Sequence, residues 1–172
     1  DPQGRDPALR RVVLVGHSMG GLHAKMMVVD SGSAIWYSIA QLPFEQIRVR
    51  PQTRELMQRA TFFRPQSFVS RVVYIATPHQ GSILASLGVG RLAALAVSEP
   101  PEITAVHDEA VGNNPGAFRP EYARKVPTTI DLLEPTSPTL QALEQLRPAC
   151  WVAAHSIPGD IHRSLFGGRD DC

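Results

Sequence analysis

The chain has 172 residues, a hydrophobic fraction of 43%, and 17 basic against 16 acidic side chains for a formal charge of +1. That length fits one domain with its own core, and the near-balanced charge offers no basic face for nucleic-acid phosphates or an anionic membrane. No apolar run approaches the ~18 residues of a membrane-spanning helix, and two cysteines, Cys150 and Cys172, make no disulfide framework.

The chain starts Asp1-Pro2-Gln3-Gly4, with neither Met nor a charged and apolar leader. It is expected to be an internal piece of a longer polypeptide. After ten polar or proline-rich positions, Val12-Val13-Leu14-Val15 reads as a short buried strand. Gly16-His17-Ser18-Met19-Gly20 follows with no spacer, and Leu22, Met26 and Val29 continue at helical spacing until Ser31-Gly32. Strand, Gly-x-Ser-x-Gly and helix in that order form a nucleophile elbow. In such a turn Ser18 is strained and its Oγ is raised at the strand end. Gly16 and Gly20 are expected to leave room where a Cβ would crowd. The N–H of Met19, at the helix start, is placed to donate to a developing oxyanion. The plainer alternative is a tight strand–helix turn in which Ser18 only caps the helix.

The segment 33–66 reads as an insertion of two short helices, the second capped by Thr53 and carrying Leu56, Met57, Ala60 and Phe63. A second buried strand is expected at 72–76, followed by Thr77-Pro78-His79-Gln80-Gly81-Ser82. The segment 98–127 is rich in Pro, Gly and Asn, which predicts an irregular stretch: a lid over a cleft, or a plain solvated connection. Ser137-Pro138 starts a helix with an apolar stripe at Leu140, Leu143 and Leu146. A third strand is expected at 150–154, with Cys150 buried. Strands alternating with helices predict an α/β layered fold with a parallel sheet, whose ligand crevice opens at the carboxyl ends of the strands. Ser18 and His79 both follow strands, so both are expected at that edge.

Three motifs carry a resemblance to the α/β-hydrolase superfamily, in particular to bacterial esterase/lipase-like proteins. They are the strand and elbow at 13–22, the strand and Thr-Pro-His-x-Gly-Ser loop at 72–82, and His155-Ser156-Ile157-Pro158-Gly159-Asp160. The likeness implies a partial α/β-hydrolase fold, a sheet with flanking helices and a cap-like insertion, acting on a small-molecule ester or lipid through an acyl-enzyme on Ser18. It also implies a second oxyanion donor from earlier strands, an acid in a Ser-Asp-Gly-like segment, and a His in a later Gly-His-like loop. None of these three is matched in this chain. A non-catalytic binding module on the same scaffold and an acyltransferase are the alternatives.

A serine hydroxyl needs a base to act at neutral pH. His17 adjoins the nucleophile, where neighbouring side chains diverge, and reads as packing or polar support. His23 reads as facing solvent or a helix neighbour, His107 as exposed, and His155 as a strand-end residue, while His162 has no motif around it. His79, at the crevice edge, is either an off-pattern base or a loop-stabilising residue. Asp160 matches its motif without becoming the triad acid, and Asp170-Asp171 reads as a solvated terminal pair. No metal-ligand spacing, phosphate loop or other cofactor motif occurs.

Overall fold

The computed structural model describes residues 6–82 and 100–158. It is an α/β protein built on three parallel strands in the order β1 (Val12–His17), β2 (Val69–Ile75) and β3 (Ala153–Ile157). Between β1 and β2 come α1 (Met19–Met26), α2 (Ala34–Ile39), a 3-10 turn (Phe44–Gln46) and α3 (Pro51–Thr61). Between β2 and β3 come α4 (Pro101–Asn113), α5 (Pro120–Arg124), α6 (Thr129–Leu132) and α7 (Pro138–Gln145).

The alternation of the strands decides which sheet face is covered. Leu14 and Gly16 of β1 pair in register with Val72 and Tyr74 of β2. These residues face a core completed by Leu22 and Ala24 of α1, Val28 and Val29 beyond it, and Leu140 and Leu143 of α7. The opposite face is bare among the described residues: Val13 is 50% exposed, Val15 64% and Ile157 54%. A register shift between Val12 and Val13 leaves Ser70 as the extra residue, its hydroxyl donating to the Val12 carbonyl at 3.3 Å. The bulge brings Val69 back to the buried side, where it is fully covered.

A second core surrounds Trp36, 1% exposed, whose ring meets Phe44 edge-on at 5.0 Å, Phe118 at 6.0 Å and Phe62 at 6.3 Å. Its indole N–H donates to the Leu42 carbonyl at 2.7 Å, so the one polar atom of a buried side chain is satisfied. Ile47, Met57, Ala110 and Ala117 complete the cluster.

Several sequence expectations are corrected here. Of the segment 98–127, expected to be irregular, the described residues 100–127 are mostly helical: α4 runs for 13 residues from Pro101 and α5 follows. Pro101 sits at the first helical turn, where its missing N–H costs nothing. This segment is locked to the 33–66 stretch. The Asn114 side chain accepts from Arg48 N–H at 2.7 Å and donates to the Arg48 carbonyl at 3.0 Å. Glu109 accepts from Arg50 and from the Thr53 hydroxyl, which hold its carboxyl down at about 2. Thr53 is therefore a buried partner of Glu109 and not the cap of α3, whose cap position is Arg50. The third strand is displaced to Ala153–Ile157: residues 150–152 form the turn before it, and Cys150 is exposed. Strand β1 continues through His17, and β2 starts at Val69. Val29 is buried as expected but lies beyond α1, which ends at Met26.

No helix among the described residues is long and apolar enough to cross a membrane.

Candidate active site

β1 ends at His17, and the chain reverses direction at Ser18 before α1 begins at Met19. Ser18 has φ 51° and ψ −130°, a conformation that L residues adopt at a cost of about 1–3 kcal/mol. Its side chain is exposed and makes no capping hydrogen bond to the helix that follows. The helix-cap alternative therefore lacks the bond that defines a cap. The turn is fastened instead by main chain: Ser18 N–H donates to the Ile75 carbonyl at 2.9 Å, and Gly21 N–H donates to the Ser18 carbonyl at 2.9 Å.

The neighbouring strand repeats the strain. Ala76, the residue after β2, has φ 46°, and its N–H donates to the Ile157 carbonyl at 2.9 Å. His17 and Ile75 are register partners, so the two positive-φ residues follow paired strand ends at the same carboxyl edge. Ser18 and Ala76 are the only non-glycine residues at positive φ among those described. Strain of this kind concentrates at functional sites.

The glycines sort differently from expectation. A Cβ on Gly16 would stand 2.5 Å from Gly21 Cα and 2.7 Å from the Gly20 carbonyl oxygen. Gly20, by contrast, has open space around it. The constrained partner is Gly21, where a Cβ would overlap the Thr77 side chain. Gly16, Gly21 and Thr77 thus set how closely β1, α1 and the loop after β2 approach. The Gly20-Gly21 doublet was the sequence signal for this contact.

Met19 takes the first position of α1, so its N–H lies outside the helical ladder and is free to face an anion. His17 is exposed, and its alternation with Gly16 puts it toward the bare sheet face. His79 turns its ring edge-on to Tyr74 at 4.7 Å, and its Nδ1 is buried without a partner. Tyr74 Oη and Thr77 Oγ1 are likewise buried and unpaired. Next to them, buried Lys25 donates from Nζ to the Glu144 carbonyl at 2.8 Å, tying α1 to α7. A lone Lys among Leu22, Ala24 and Met26 was a legible oddity that sequence reasoning passed over.

Burial lowers the His79 pKa, and Lys25 lowers it further against a smaller opposing effect of Glu144. Burial also pushes Tyr74 up to about 12. His79 therefore favours its neutral form more than a free imidazole does. Its contribution to stability is full above the ordinary value of 6.5 and is lost as the pH falls from there through the lowered folded value. An NMR titration is expected to place its midpoint below 6.5. In Lys25→Met the midpoint is expected to rise but stay below 6.5, because burial remains. An unchanged midpoint would show that the ammonium group does not act on the ring.

None of the five described histidines hydrogen-bonds to Ser18. His107, expected to be exposed, is largely buried and bonds through Nε2 to the Tyr122 carbonyl at 2.7 Å. His155 lies on β3 beside the Arg71 guanidinium. His162, Asp160, Asp170 and Asp171 lie outside the described residues.

Beside the elbow, an apolar cavity of about 230 Å³ runs along α1 from Met19 through Leu22 to Met26, closed on its far side by Leu140 and Leu143 of α7. A larger recess of about 460 Å³ opens at Asp30, Phe44 and Arg64, and no elbow residue lines it. No family model, no curated protein and no solved structure matches this chain, and the chemistry of the site rests on its geometry alone.

Proposed function

We propose that the chain carries the nucleophile of a serine hydrolase acting on carboxylic esters, on a partial α/β-hydrolase fold. The observation that carries this is Ser18: strained, exposed at the carboxyl edge of a parallel sheet, and not spent on capping its helix. In the reaction, Ser18 Oγ attacks the ester carbonyl carbon and gives up its proton to a base. The tetrahedral oxyanion is stabilised by Met19 N–H at the positive end of α1, and the alcohol leaves with a proton. Water then cleaves the acyl-enzyme, returning the hydroxyl and releasing the acid.

None of the five described histidines serves as that base in the arrangement it holds, and a serine without a base turns over slowly. Removal of a base from such a site costs more than a thousandfold in rate. Covalent capture is therefore the better readout than turnover. An alkyl fluorophosphonate needs no second half-reaction: the serine oxygen bonds to phosphorus, fluoride leaves, and at alkaline pH the serine proton passes to hydroxide without a side-chain base. Intact-mass analysis is expected to show one phosphonyl group per chain, absent in Ser18→Ala. Wild-type protein that stays unmodified, or a variant labelled as well as wild type, would remove the hydrolase assignment and favour a non-catalytic module.

A further inference from the structure

We propose that the cavity along α1 is an acyl-chain subsite, fitted to a straight medium-length chain that leaves it at Met19, one residue from Ser18, which does not itself line the cavity. The proposal rests on the nucleophile assignment above and adds the substrate class. Four observations support it. The cavity begins at Met19, the residue bonded to Ser18, and extends two helical turns to Met26 along the same face. Its lining is aliphatic or aromatic apart from His23 and Thr139. The Thr139 hydroxyl is already engaged, 2.6 Å from Tyr122 Oη and 3.0 Å from Ser38 Oγ. That leaves no buried polar group to hold a sugar or a peptide, and no Lys or Arg lines the space.

Size narrows the ligand. An apolar cavity of about 150 Å³ takes a six-carbon ring. By the same packing, the cavity of about 230 Å³ takes a chain of roughly nine carbons. Met19 and Met26 at its two ends are unbranched and adjust to the chain they meet. Ala60, exposed on α3, lines the space from the solvent side and marks a way in.

The test uses octanoate and Met-methyl NMR on the whole chain, because the binding readout does not depend on turnover. Octanoate is expected to shift the Met19 and Met26 methyl signals saturably and to leave Met57, in the Trp36 cluster, unmoved. Acetate is expected to shift neither. Ala60→Trp fills the cavity from an exposed position and is expected to weaken octanoate binding at least tenfold. Met26→Ala lengthens the space and is expected to move the preference toward decanoate. Octanoate binding and phosphonate capture are read by different measurements, so the subsite and the nucleophile fail separately. Octanoate that leaves Met19 and Met26 unmoved, or shifts all four methionines alike, overturns the subsite even if Ser18 takes the phosphonate. Octanoate bound in the cavity of a chain whose Ser18 takes no phosphonate overturns the substrate role.

Discussion

A Gly16→Ala variant is expected to lose about 3 kcal/mol of stability, the upper part of the range for forcing one carbon into a filled interior. The atoms in its way are Gly21 Cα and the Gly20 carbonyl, main chain in the first turn of α1, which cannot rotate aside. Strand and helix must separate, and Ser18 moves with them. Gly21→Ala meets a side chain instead, and Thr77→Ala in the same protein removes Oγ1 and Cγ2 while leaving the Thr77 Cβ at 2.8 Å. The pair is expected to recover part of the loss, a coupling that a double-mutant cycle reads directly. Gly20→Ala meets nothing within 4 Å and lies inside α1, where Ala is favoured over Gly by about 1 kcal/mol. Denaturant titration of the series should rank Gly20→Ala at or above wild type and Gly16→Ala lowest. A Gly16→Ala protein as stable as wild type would show that β1 and α1 are not held at the distance described.

Truncation of Trp36 to Ala is expected to cost about 4 kcal/mol, in the range for removing a buried aromatic ring. Three rings lose their common neighbour, and the Leu42 carbonyl loses its donor. Trp36→Phe keeps most of the ring contacts and loses the N–H, so about 1–2 kcal/mol is expected for it. Trp151, 52% exposed, is the other tryptophan, and replacing it with Phe leaves Trp36 as the sole emitter. Unfolding followed by that emission reports the second cluster by itself in protein that keeps Trp36, and unfolding of the two Trp36 variants is followed by far-ultraviolet circular dichroism. A loss below about 1 kcal/mol for Trp36→Ala would mean that the cluster collapses around the gap.

The strand, turn and helix at 12–26 were the most legible part of the chain, because each carries a local signal and all three are contiguous. The parallel sheet was legible for the same reason: short β-branched runs separated by helical spacing. What could not be read was settled by partners distant in sequence. Residues 150–154 look like a strand by hydrophobicity, yet Cys150 and Trp151 lie in the turn before β3. Pro100-Pro101 signals a break and a helix start equally, and only the contacts of Asn114 with Arg48 and of Glu109 with Arg50 show the ordered result. Gly20 and Gly21 are indistinguishable by composition. Which one is indispensable depends on Thr77, 56 positions away. The ring of His79 was placed at the crevice edge by its loop, but its tyrosine and lysine neighbours belong to β2 and α1.

One bond has a bearing on every experiment at position 18. The bend there hangs from its own amide hydrogen, which grips the adjacent strand at Ile75, and owes nothing to the hydroxyl. The side chain at position 18 and the scaffold are therefore decoupled. A thiol or a bare methyl installed there inherits the same perch, and the locus can be chemically rewired without redrawing the chain around it.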